Sequence, residues 1–373
     1  MLSEKYATEA IELREALHAM PEPALHEFKT QAFVMGYLKS LGLDPQESAG
    51  TGAVCYIDLA KASTAAIRAD MDALPLNEET GLAFASQHAG YAHACGHDAH
   101  MAMSLAYAKA VVEGAVSPAH NILLMFQPAE EGPGGAQRMI SEGILEKYAV
   151  GRAYGIHLHP SFQMGGFYSK AGAFFADSVE LYFSVEGKAA HGAQPENGKD
   201  ALLAVSHLAI ALSSLTSKAL SPLDNGVLML GRMGAGERLN ITAGTAFLEG
   251  SLRTFSEESK KAVIGRIYEI CDGIGLAFGV KCSFSPVYFY PCLINDAEIF
   301  RQGQIAAGIQ EAPVQMLAED FAYFAQKVPS LYVLLGINDG SESHSHALHS
   351  PKFDFDQSVL VRGVELYDKL LAE

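Results

Sequence analysis

Apolar and polar positions follow two different rhythms along the chain. Residues 3–20 and 27–41 set apolar side chains at helical spacing, and the second run stops at Gly42. Ala53–Leu59 and Ala65–Arg68 are short and almost wholly apolar, as strands covered on both faces must be. A helix is expected from Asp98 to about Val112. Two more buried strands are expected at Asn121–Phe126 (NILLMF) and Ala153–Ile156. This order predicts an α/β fold with a large, mixed and largely parallel sheet covered by helices.

The rhythm changes after Gly172. Ser178–Val185 alternates polar with apolar, as a strand with one wet face does. Helices are expected at 199–217 and 257–275, and strands at Val227–Gly231 and Ala246–Arg253. They predict a compact α+β insert with its helices on one side of an antiparallel sheet. From about Val287 the buried-strand pattern returns, at Leu331–Leu335, and 357–371 closes the chain as a helix. The expected organisation is a discontinuous larger domain, 1–176 and 286–373, interrupted by an insert, 177–285.

Composition narrows the partners. With 26 Lys+Arg against 43 Asp+Glu, the formal charge of the 373 residues is −17, a field that repels nucleic acid and acidic membranes. It leaves room for a small anionic substrate held by one or two cations. No run of 18 apolar residues suggests a membrane span, and the charged N-terminal stretch lacks the apolar core of a signal peptide. Five scattered cysteines, an odd number, point to a reduced, cytoplasmic setting, where a special cysteine is more often a ligand than a bridge.

The chemistry is in clusters. His93-Ala-Cys95-Gly-His97-Asp98-Ala-His100 sets a thiol and an imidazole two residues apart around a glycine that allows a tight turn. Both are preferred ligands of zinc-like metals, although an isolated pair of this kind is more often a buried cysteine beside solvated histidines. Gln127-Pro-Ala-Glu130-Glu131-Gly follows a buried strand directly, where sites form in α/β sheets. Two adjacent acids there can divide their work, one binding metal and the other moving a proton. Gly and Pro follow at once, so these acids do not simply open a helix. His157-Leu-His159 and His344-Ser-His346-Ala-Leu-His349 add further imidazoles, and together the clusters suggest one metal site. Other signatures fail. His26-Glu27-Phe-Lys-Thr30 begins like the HExxH zinc motif but has Thr30 where the second histidine belongs. Gly234-Ala-Gly236-Glu-Arg-Leu239 lacks the third glycine of a dinucleotide fingerprint, and neither a P-loop nor a GxSxG elbow is present.

The stretches LHAMPEPALHEFKT, IRADMDALPLNEETG, HACGHDAH, FQPAEEGPGGA, GIHLHP, VEGKAAHGAQPENGKDA, LNITAGTAFLEGSLRTF, AEDFAYF and LHSPKFDFD span nearly the whole chain. In that order they resemble the M20 metallopeptidase superfamily, in its amidohydrolase branch. The resemblance implies two divalent ions, zinc, manganese or cobalt, held by Cys95, His97, Glu131, His157 and His349. His159, His344 and His346 are the nearest rivals, set aside by the residues around them. It implies Glu130 as the carboxylate that takes a proton from water and passes it to the leaving amine. The insert is implied to be a ferredoxin-like lid and dimerisation domain. His191 would be its oxyanion-stabilising residue, in cis or from a partner subunit, and Asn240 and Arg253 would meet the substrate's carboxylate. Asp72 and Asp98 are implied to support the ligands, as are Glu319 and Asp320. The implied activity is hydrolysis of N-acyl amino acids. SPLDNGVLMLG, EGSLRTFSEES and FQPAEEGPGGAQRMI look most like N-acetyldiaminopimelate deacetylases of the lysine pathway, whereas LHSPKFDFD resembles the broader aminoacylases, hippurate hydrolases and auxin-conjugate hydrolases. A dipeptidase, or a metal-binding member without catalysis, would carry the same ligands.

Overall fold

The computed structural model describes residues 4–372, which fall into two units. The first takes in the residues up to Gly172, Ile294–Pro313 and everything from Asp320 on. Its sheet has eight strands. Four lie side by side at the centre, in the order Asn121–Gln127, Thr64–Asp70, Val150–Gln163 and Ser330–Asn338, and all are parallel. Antiparallel strands flank them, with Gly52–Ile57 on one side and Phe167–Ser169 on the other, so the sheet is mixed and largely parallel. Thr64–Asp70 and Asn121–Gln127 are buried at every residue, which is why they read as largely apolar runs, with Arg68 the one charge inside.

Helices Glu4–His18, His97–Val112 and Leu360–Leu371 bury their apolar faces in the same core. The sequence pattern starts the first of these at Ser3, which lies outside the described residues. Arg14 and His18, on its inner face, both reach Asp98 Oδ2, at 3.1 and 2.8 Å. Burial opposes a charge on His18, but the hydrogen bonds to Asp98 and to Glu78 outweigh it and hold its pKa at about 9.

The second unit, Ala173–Leu293 with Val314–Glu319, has a four-stranded antiparallel sheet. Its order is Lys281–Tyr290, Ser178–Glu186, Thr245–Thr254, Gly226–Ala235. Helices Ala201–Ser213 and Glu257–Phe278 share its core.

Three expectations are corrected here. The helix expected over 199–217 is broken after Ser213, and a short helix follows at Thr216–Ala219. At the break, Ser213 and Ser217 donate to the carbonyls of Ile210 and Ser214. The buried-strand pattern expected from about Val287 sets in only at Ser330–Asn338, where Leu331–Leu335 is buried as expected, and the apolar run at Val287 belongs to the second unit. It is the end of the edge strand Lys281–Tyr290, half-exposed, and it carries that strand past the boundary expected at 285. Finally, 357–359 is a separate 3₁₀ turn capped by Asp356, and the closing helix begins at Leu360. Among the described residues no helix is long and apolar enough to cross a membrane.

Candidate metal centre

The centre is built at the carboxyl ends of the central strands, where the chain must leave the sheet and its polar groups can converge. Thr64–Asp70 delivers Asp70 and, two residues on, Asp72. Helix His97–Val112 starts after Gly96, whose φ of +83° favours a residue without Cβ; a Cβ there would also meet Leu158 Cδ1 at 3.1 Å. That tight entry sets Cys95 and His97 on either side of the turn. Asn121–Gln127 ends at the loop that carries Glu130 and Glu131. Helix begins only at Ala136, as the Gly-Pro run foretells.

Within this unit the ligating atoms fall into overlapping groups. Cys95, His97 and His157 form one, and Cys95, Glu131 and His349 another, with the atoms of each within 4.8 Å of one another. Cys95 belongs to both. Its Sγ lies 3.5 Å from His157 Nε2, and His349 Nε2 lies 2.9 Å from Glu131 Oε1. His349 reaches the site through a left-handed backbone (φ +65°), fixed by its N–H donating to the Ala94 carbonyl at 2.8 Å. Glu130 belongs to a third group, with His97 and Glu131.

The hydrogen bonds fix the imidazoles for ligation. His97 Nδ1 donates to the Asp72 carbonyl at 2.8 Å, which turns the Nε2 lone pair into the site. That nitrogen is buried and has no hydrogen-bond partner; its nearest acid oxygen, on Asp70, is 3.7 Å away. His157 donates from Nδ1 to the Leu158 carbonyl at 2.7 Å, again leaving Nε2 as the lone-pair nitrogen. An orphaned imidazole nitrogen, two carboxylates and a thiol in one pocket are a donor set that fits divalent cations.

The electrostatics agree. Burial, then Glu131, Glu130 and Asp70, push the Cys95 thiol well above its ordinary pKa, so the proton leaves only when a cation offsets that field. Burial opposes a charge on His97, yet Asp70 and Asp72 raise its pKa to about 10, so a cation must displace the Nε2 proton before that nitrogen can ligate. Glu131 is held below the usual carboxylate range: burial opposes this, and His349 and His97 overcome it.

Neighbouring residues separate into roles by geometry. Both nitrogens of His100 are used, Nδ1 donating to Asp70 Oδ1 at 2.6 Å and Nε2 accepting from Leu158 N at 3.0 Å, so it buttresses the site. His159 Nδ1 accepts from Ser161 N at 3.2 Å, and His344 pairs with Asp339 at 2.6 Å; neither joins a ligand group. Asp98 faces Arg14 and His18. Asp72 accepts from Glu130 N and Glu131 N, both at 2.9 Å, and so orients the two acids together. Sequence reasoning gave no role at the site to Asp70, His100, Arg68 or Glu27. The available signal was charge inside an apolar strand: Arg68 is 1 % exposed and spans Asp70 and Asp320 at 2.6 and 2.8 Å.

In the second unit His191 is exposed, with Nδ1 accepting from Ala193 N at 3.1 Å, so Nε2 carries the proton and is a donor. Asn240 lines a cavity of about 630 Å³ beside Gly192 and Arg238. Arg253 is half-buried in the sheet and donates to the Ser178 hydroxyl.

The profile of peptidase family M20/M25/M40 matches residues 66–373. The chain belongs to this family. It is 36% identical to an N-acetyldiaminopimelate deacetylase of Bacillus subtilis over 96% of both chains. To the enzyme of that name from Exiguobacterium sibiricum it is 33% identical, over 98% of this chain and 99% of the relative. Among solved structures, a dinuclear metal-binding peptidase of the M20 family from Bacillus subtilis superposes with a TM-score of 0.86 at 27% identity, covering 99% of this chain and 98% of that one. The M20 chain is a metal-dependent hydrolase of amide C–N bonds, and two divalent ions are the complement that its ligand groups and that neighbour support.

Proposed function

We propose that this protein removes the acetyl group from N-acetyldiaminopimelate, with Cys95, His97 and His157 holding one divalent ion and Cys95, Glu131 and His349 the other. The observation that carries this is Cys95 standing in both ligand groups while Glu130 stands beside them on the same loop as Glu131. Full-length likeness to relatives named for that deacetylation supports the substrate. Zinc suits the thiolate best, while manganese and cobalt suit the imidazoles and carboxylate.

The bound ions would acidify a water and draw charge from the acyl oxygen. The chain's own residues do the rest. Glu130, its backbone fixed on Asp72, takes the proton from the attacking water and delivers it to the amide nitrogen, which would otherwise leave as a poor group. His191 offers its Nε2–H to the developing oxyanion, and Asn240 and Arg253 meet the substrate's carboxylate. The insert serves as lid and as the contact with a second copy. Its edge strand Gly226–Ala235 exposes Val227, Met229 and Met233, and its helix exposes Leu202, Leu203 and Ile210, a surface that suits burial in a homodimer. Five unbridged cysteines support the cytoplasm as its place.

Turnover of N-acetyl-L,L-diaminopimelate, hippurate, N-acetylmethionine and a dipeptide, each with added Zn²⁺, Mn²⁺ or Co²⁺, tests the reading. We expect kcat/KM for the diaminopimelate derivative to exceed the others at least tenfold, and a chelator to abolish all activity. Preference for hippurate or the dipeptide overturns the substrate, and activity that survives chelation overturns the mechanism.

A further inference from the structure

The failed zinc motif near the N-terminus has another use. Glu27 is wholly buried, far in sequence from the centre, yet its Oε1 accepts from Ala129 N at 2.9 Å, one residue before Glu130. Its other oxygen takes the Thr51 hydroxyl. The same segment supports the loop a second time: Ala24 lies so close under Gly132 that a Cβ there would come within 2.6 Å of Ala24 Cβ. It also touches the strand end that carries Asp72, for Ala73 N donates to the Glu22 carbonyl at 2.8 Å.

Ala129 needs such support. Its φ of +58° is a left-handed conformation that a residue with a Cβ adopts only under strain, and it turns the chain so that Glu130 and Glu131 follow with both amides on Asp72. Beyond the acids, Gly135 N and Ala136 N donate to Asp320 Oδ2, each at 3.1 Å. Five amides of one loop are therefore held by three buried carboxylates from remote parts of the chain. Asp72 and Asp320 act on either side of the turn; Glu27 holds the amide of the strained residue, whose carbonyl accepts from Gly134 N at 3.1 Å.

We infer that Glu27 is a positioning residue for the reaction, fixing Ala129 in its strained conformation so that the Glu130 carboxylate stands where the water's proton leaves. The inference rests on Glu130 being the proton carrier. A carboxylate one methylene shorter cannot reach Ala129 N from the same backbone, whereas a glutamine keeps both the reach and an accepting oxygen.

The test is a comparison of Glu27→Asp and Glu27→Gln as folded, metal-loaded protein, reading kcat, KM, bound metal and amide exchange over residues 127–136. Glu27→Asp should lower kcat tenfold or more with KM within twofold, two ions still bound and the Ala129 amide exchanging faster; Glu27→Gln should stay within threefold of wild type. If Glu27→Asp keeps kcat within twofold, or lowers it only by losing metal, the inference is wrong. Should Glu27→Asp fail to fold, Gly132→Ala, which presses on Ala24 in the same bed, carries the same expectation and the same refutation. Glu130→Gln, run alongside, separates the two readings. If that variant is active, Glu130 is not the proton carrier, and the exchange data still report whether Glu27 holds the loop.

Discussion

Glu130→Gln is expected to lower kcat by about 10²–10⁴-fold while the protein keeps two ions. Glutamine has the shape of glutamate and one of its oxygens but cannot take a proton from water. Its backbone amide would still donate to Asp72, so the loop would keep its course. Because Cys95, His97, Glu131, His157 and His349 are untouched, bound metal should not change. Steady-state kinetics on metal-loaded protein, with the metal counted in the same preparation, check both halves. Half of the activity surviving would remove Glu130 from the proton path.

The second large effect is expected at Asp72. Its carboxylate is the shared acceptor for Glu130 N and Glu131 N, and its own carbonyl fixes the tautomer of His97. Asp72→Ala leaves one buried and one part-buried amide donor without that partner, at about 1–3 kcal/mol for the buried one, in the loop that must be still for proton transfer. We expect kcat/KM to fall about 100-fold or more, because a shift near 1 Å is enough for that, and metal affinity to fall about 10–100-fold. Asp72→Asn, with one accepting oxygen, should lie between the alanine variant and wild type. Chelator competition measures the affinity, and full activity in Asp72→Ala would contradict the role.

Sequence made one layer of this legible. The runs Ala65–Arg68 and Asn121–Phe126 read as strands because each has a single polar residue, at one end, and the structure extends them to Asp70 and Gln127. His157 stood out from His159 only by motif context, although the two sit two apart on one strand; the structure distinguishes them by what each ring nitrogen touches. Asp70 received no role from the sequence, and the partners that Glu27 and Asp320 hold could not be read there, for a physical reason. Glu27 meets Ala129 across 102 residues and Asp320 meets Gly135 across 185, and no local rhythm records a hydrogen bond between segments so distant. The long edge strand Lys281–Tyr290 belongs to the same class, since the exposure of an aromatic run is decided after the chain has folded.

The central claim is that two ions share one thiolate. Counting tightly bound metal per chain after loading and desalting tests it directly, in wild type and in His157→Ala, His349→Ala and Cys95→Ala. The account predicts two ions in wild type, one in each histidine variant, and less than one when the shared ligand is gone. A single ion in wild type, or two ions retained in all three variants, would contradict it.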